Sequence, residues 1–221
     1  MKILFFFIGC SVGSLLNVIC WRTLNGENFI IGRSHCEHCG ETLKYQEMIP
    51  VMSYLFQKGR CRYCGNKIKI VYPVTEAICG IMTLYMYENG ELMALPFFYT
   101  LVLISLFDME RMEFPVLLLL LLLVTGACNM NVEGFERNII SSFVLFISSI
   151  AVRKWLGEGD GMIFTIICLC HGLIFTTHVM LLASISGILF ILLKKRESVH
   201  ERIPFCPFIT IGYLMCFVMG K

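Results

Sequence analysis

Residues Gly161 to Leu193 read GMIFTIICLCHGLIFTTHVMLLASISGILFILL, 33 positions without Asp, Glu, Lys or Arg. The length of this run decides the fold. As one helix it would extend about 50 Å at 1.5 Å per residue, far more than the roughly 30 Å hydrocarbon core of a bilayer. Two shorter spans that turn between Gly172 and Thr177 fit that thickness. They also return Lys194, Lys195 and Arg196 to the side from which the run began, and the distribution of charge over the rest of the chain favours that return.

Apolar runs recur on both sides of this block: Ile3 to Trp21, then about 73–87, 94–107, 115–130 and 138–152, and finally about 204–220. Several are short for a full span and fit with flanking residues or a locally thinned bilayer. The 221-residue chain is 57% hydrophobic and only 15% charged, with mean hydropathy +0.76. That balance excludes disordered and collagen-like classes, and a net charge of +2 gives no reason to expect a nucleic-acid partner. The first run follows Lys2 as a signal peptide would, but it continues through Gly13, Ser14 and Asn17 without a clear cleavage site and reads as a retained span. The expected fold is an all-α polytopic membrane bundle of about eight spans. With the polar 22–72 loop in the cytoplasm, 15 of the 18 Lys and Arg residues face that side, leaving Lys2, Arg137 and Lys221 outside. Both termini are then expected outside.

The polar loop carries CEHC at 36–39 and CRYC at 61–64, each followed by a glycine, Gly40 and Gly65. A thiolate pair at this spacing grips a tetrahedral ion from a tight turn, and a second pair completes four ligands. The reducing cytosol favours metal over disulfide. Cys36, Cys39, Cys61 and Cys64 are therefore candidate ligands of a structural Zn2+ in a small zinc-ribbon-like insert. Reduced unliganded thiols are the alternative. A closed four-thiolate site would fold the loop rather than catalyse. His35 and His38 read as solvated loop residues. The other eight cysteines, at 10, 20, 79, 128, 168, 170, 206 and 216, lie in apolar runs and read as small buried hydrophobes.

Acidic residues beside apolar spans are costly and invite a functional reading. Asp108 closes LVLISLF and opens DMERMEFP; Asp160 closes GEGD and precedes a span. Both fall at cytoplasmic helix ends. Two carboxylates held close in a low-dielectric site cannot both ionise easily, so one activates water while the other donates a proton. Gly157 and Gly159 would support that loop by permitting close approach. Taken singly, each aspartate is equally consistent with a helix cap or, for Asp108, a partner for Arg111. Glu110, Glu113 and Glu158 lie alongside, and Glu76 sits within the second span, where packing or a polar partner accounts for it.

In order along the chain, GSLLNVICWR (13–22), SHCEHCG (34–40), MIPVMSYL (48–55), KGRCRYCG (58–65), VYPVTEAICG (71–80), FDMERMEFP (107–115), GEGD (157–160) and IPFCPF (203–208) together resemble the prepilin peptidases, the type IV prepilin leader peptidase and N-methyltransferase family of membrane aspartic proteases. The resemblance implies removal of a basic leader from prepilin or pseudopilin substrates at the cytoplasmic face of a bacterial inner membrane, in pilus or secretion systems. It further implies methylation of the new N-terminus from S-adenosylmethionine. By position it makes Asp108 and Asp160 the catalytic pair and the four cysteines the loop tetrad. Met162 stands where the family usually has lysine, and Cys206 where it usually has glycine. No glycine fingerprint marks a cofactor pocket. The expected division is a first span, 1–21, a metal-binding cytoplasmic loop, 22–72, and a membrane-embedded peptidase core, 73–221. The competing readings are a peptidase without methyltransferase activity and a non-enzymatic assembly factor or transporter that uses the aspartates for ions or protons.

Overall fold

The structure, a computed structural model, describes residues 1–128, 135–151, 157–193 and 203–220. Among them the regular secondary structure is helical, with no strand and only two isolated bridges, His35 with Thr42 and Arg60 with Lys67. The helices are α1 (Lys2–Leu24), α2 (Met52–Phe56), α3 (Val71–Glu88), α4 (Leu95–Arg111), α5 (Val116–Ala127), α6 (Phe135–Ala151), α7 (Glu158–His171), α8 (Leu173–Leu193) and α9 (Cys206–Met219). Single 3-10 turns occupy Tyr45–Glu47 and Leu92–Ala94. Three stretches are long and apolar enough to cross a membrane: Lys2–Leu24, Leu92–Arg111 and Leu173–Leu193. The other described helices are shorter or less apolar, so among the described residues three of the expected eight or so spans are full-length. The 33-residue run breaks at Gly172, whose φ of +87 ends α7 before α8 begins. Arg153, Lys154, Lys194, Lys195, Arg196, Arg202 and Lys221, which weigh in the charge asymmetry, lie outside the described residues.

The chain forms two compact units, Met1–Leu95 and Pro96–Lys221. In the first, α1 and α3 pack antiparallel, with Lys2 paired to Glu88 at 2.5 Å and Phe5 stacked on Tyr87. Small residues let them approach. A Cβ at Gly9 would come within 2.5 Å of the Cys79 carbonyl, and one at Gly13 within 2.9 Å of Glu76 Cα. Gly9 and Gly13 are thus a G-x-x-x-G face, a usual means of close helix contact where no water drives association. At the end of α1 the buried Arg22 guanidinium donates to the Asn28 and Arg33 carbonyls, at 3.2 and 2.9 Å, and fixes the path of the chain into the cysteine segment.

In the second unit α9 packs on α8 and is tied to α4 by hydrogen bonds. Thr210 joins Ser105 of α4 at 2.7 Å and also reaches the Leu101 carbonyl. Gly212 lies against α8, where a Cβ would meet the Val179 carbonyl at 2.7 Å. Tyr213 is fully buried, its hydroxyl 3.2 Å from His171 Nε2 and its ring beside Phe97 and Phe175. Leu117, Leu120, Val124, Ile185, Ile188 and Leu192 are exposed on α5 and α8. Such apolar outer faces match a helix surface that meets lipid.

Candidate active site and metal centre

Asp108 sits in the last turn of α4 and is buried. The helix ends three residues later, and the next residue, Met112, turns to φ +56 while its N–H still bonds the Asp108 carbonyl at 2.8 Å. Asp160 sits in the first turn of α7, half-buried. The two aspartates are 52 positions apart in sequence and meet at a third element. The N-terminus of α9 has no side-chain cap from its own Phe205, and Pro207 brings no N–H. Instead the Cys206 N–H donates to Asp108 Oδ2 at 2.9 Å, across 98 positions, and the Cys206 Sγ donates to Asp160 Oδ1 at 3.4 Å. Each carboxylate therefore lies at the start of a helix, Asp108 against α9 and Asp160 within α7.

The glycines of GEGD have separate tasks. A Cβ at Gly157 would stand 2.9 Å from Asp160 Oδ2, so its absence leaves that side of the carboxylate open. A Cβ at Gly159 would strike the ring of Phe114, at 2.5 Å from Cζ. Phe114 belongs to the FDMERMEFP stretch, so this contact seats the two aspartate motifs against each other. Glu110, Glu113, Glu158 and Met162 are exposed nearby along the chain.

Cys206 is the residue that sequence reasoning undervalued. It reads there as apolar filler, yet it contacts both aspartates; the one hint was its place in IPFCPF. A second correction concerns Cys128, which is exposed, whereas the other seven cysteines of the apolar runs are buried.

The cysteine segment consists of two matching turns. The Cys36 N–H bonds the Glu41 carbonyl and the Gly40 N–H the Cys36 carbonyl, both at 2.9 Å; Cys61 repeats this with Asn66 and Gly65 at the same distances. Gly40 and Gly65 adopt φ of +70 and +72, a conformation that glycine takes without penalty. The four sulfurs lie within 4.8 Å of one another, and Cys36 and Cys64 are 3.9 Å apart. A tetrahedral zinc site with Zn–S near 2.3 Å puts its sulfurs about 3.8 Å apart, so the set is fit to hold such an ion. The backbone N–H groups of Cys64 and Tyr63 draw the Cys61 thiol down to about 7, toward the thiolate that a metal requires. His35 and His38 stand outside the four-sulfur group; His35 packs edge-on to Trp21.

Residues 7–89 match the family model of the bacterial peptidase A24 N-terminal domain. Over 92% of its length the chain is 28% identical to a type 4 prepilin-like proteins leader peptide-processing enzyme of Escherichia coli O78:H11, covering 88% of that protein. It is 28% identical to the prepilin leader peptidase/N-methyltransferase of Dichelobacter nodosus, over 97% of the chain and 91% of the relative. It is 27% identical to that of Bacillus subtilis, over the whole chain and 94% of the relative. The chain is similar to prepilin leader peptidases over most of its length. These relatives are named as enzymes, and the chain is counted as an enzyme with them. No solved structure matches it.

The part of the chain that matches the A24 model also holds a cavity of about 220 Å³, lined among others by Asn17, Trp21, Tyr54, Tyr72 and Glu76. Asn17 Oδ1 and the Tyr72 hydroxyl are buried without a hydrogen-bond partner among the described residues. Glu76 Oε2 accepts the Val51 N–H at 2.7 Å, so this glutamate does have a polar partner. Val51 carries φ +62 and ψ −49, and the Met52 N–H closes back on the Pro50 carbonyl at 2.6 Å. This is a γ-turn of the rarer, strained hand, unusual for a β-branched residue. Orphaned polar atoms and a strained turn pinned by a buried carboxylate mark a place built for more than packing.

Proposed function

We propose that the chain is a membrane-embedded aspartic endopeptidase that removes the basic leader from prepilin-like substrates at the cytoplasmic membrane face, and that it then methylates the new N-terminus. The observation that carries this reading is the meeting of Asp108 and Asp160 at Cys206. In the proposed reaction one carboxylate, ionised, takes a proton from water as the water attacks the scissile carbonyl. The other, protonated, donates to the developing oxyanion and the proton then passes to the leaving amine. The substrate's apolar segment lies among the helices, and Glu110, Glu113 and Glu158 attract its basic leader from the cytosolic side.

Cys36, Cys39, Cys61 and Cys64 hold a structural Zn2+ in this reading, and the ion orders a segment with little core of its own. For the methyl donor we assign the cavity of the first unit. S-adenosylmethionine, when bound, supplies the methyl group. Asn17 Oδ1, the Tyr72 hydroxyl and Glu76 suit a ligand rich in N–H and O–H donors, as its amino and ribose groups are.

The test is cleavage of a prepilin-like peptide by detergent-solubilised protein. Wild type is expected to release the leader, and Asp108→Asn and Asp160→Asn to leave it uncut while still extracting as folded, zinc-loaded protein. Substantial turnover by either variant contradicts the assignment, and no cleavage by folded wild type across several leaders favours a transport or assembly role.

A further inference from the structure

Cys206 supplies two donors to two acids. Its amide serves Asp108 Oδ2, and any residue other than proline at this position would offer the same group. Its thiol serves Asp160 Oδ1, a contact that depends on the side chain. The residue is almost fully buried at the start of α9, whose attachment to α4 through Thr210, Ser105 and Leu101 leaves it little freedom. A carboxylate rotates readily about its last side-chain bond. With Oδ1 of Asp160 tied to sulfur, Oδ2 is left on the side that Gly157 keeps open.

We propose that Cys206 is a positioning residue of the aspartate pair: its thiol fixes the rotation of the Asp160 carboxylate and so selects Oδ2 as the oxygen presented to water and substrate. This inference rests on the dyad reading above. It explains why a polar sulfur is placed where an apolar helix start needs only its amide. A sulfur donor bonds weakly, so it orients the acid without competing strongly for the site that water must take.

Two experiments test it, one of which needs no turnover. The first is the rate at which methyl methanethiosulfonate modifies Cys206, read by mass spectrometry of that peptide, in wild type and Asp160→Asn. The Asp160 carboxylate engages the thiol in a hydrogen bond, so Cys206 in Asp160→Asn is expected to react about tenfold faster. Equal rates overturn the proposal. The second is peptide cleavage by Cys206→Ala and Cys206→Ser. Alanine is expected to lower kcat about tenfold with KM nearly unchanged, because orientation and not binding is lost. Serine is expected to restore most of kcat and wild-type pH dependence, and alanine to change that profile. Wild-type kcat and pH profile in the alanine variant overturn the proposal while the dyad stands. Turnover by Asp160→Asn overturns the dyad itself and this inference with it.

Discussion

The two chemical centres of this chain are built in opposite ways. The four cysteines are presented by two five-residue turns that each close on their own backbone, so their geometry is local and repeated. The two aspartates belong to helices far apart in sequence and are brought together by the start of a third. A local centre depends on what it binds; without the proposed metal the turns would lose their reason to approach. A non-local centre depends on helix packing; it survives loss of a ligand but not a clash between its supports. The difference teaches that injury to the two centres should have separable effects, although one chain carries both.

The largest expected effect comes from removing an acid. Asp108→Asn and Asp160→Asn are each predicted to lower leader cleavage by on the order of 10²–10⁴-fold, the usual range for a positioned acid or base, with zinc content unchanged. Cleavage assays beside metal analysis would show it, and loss of zinc along with activity would blur the contrast drawn here. Next is the metal centre. Cys36→Ser, or treatment with a strong chelator, is predicted to take zinc from one ion per chain to nearly none and to make residues 22–72 sensitive to protease. Methylation should fall more than cleavage. A zinc-free wild type with a protease-resistant segment would remove the metal from the account.

A smaller effect is expected at the seam between the aspartate motifs. Gly159→Val drives side-chain atoms into Phe114 and is predicted to cost about 1–3 kcal/mol through overpacking, with reduced cleavage. Gly159→Val combined with Phe114→Leu should recover part of the loss, as thermal unfolding in detergent would record. The smallest effect carries an informative sign. Tyr72→Phe removes a buried hydroxyl that has no partner, and is predicted to raise the stability of ligand-free protein by about 1 kcal/mol. The same change should shrink the rise in Tm that S-adenosylmethionine gives to wild type. A loss of stability with an undiminished ligand shift would dissociate that cavity from the cofactor.

The same contrast explains what could be read from the sequence. The cysteine turns were legible because C-x-x-C-G encodes both ligands and the positive-φ glycine within five residues. The break at Gly172 was legible because an unbroken 33-residue helix would overrun a bilayer. Asp108 and Asp160 were legible as a pair only through the ordered likeness to a family, since nothing local links positions so distant. Cys206 was misjudged because composition describes it as apolar, and its partners are fixed only when α9 packs beside α4. Cys128 was misjudged because an apolar run does not say which of its faces a helix turns outward. The strained turn at Val51 and the orphaned atoms of Asn17 and Tyr72 leave no trace in composition at all, because each is a property of packing.

The central claim is that one chain cuts with its aspartates and supports methylation with its cysteine segment. The most direct measurement is the mass of the product N-terminus after incubation of a prepilin-like peptide and S-adenosylmethionine with wild type, Cys36→Ser and Asp160→Asn. The account predicts a shortened, methylated product from wild type, a shortened and largely unmethylated product from Cys36→Ser, and intact peptide from Asp160→Asn. A shortened product from Asp160→Asn would contradict it.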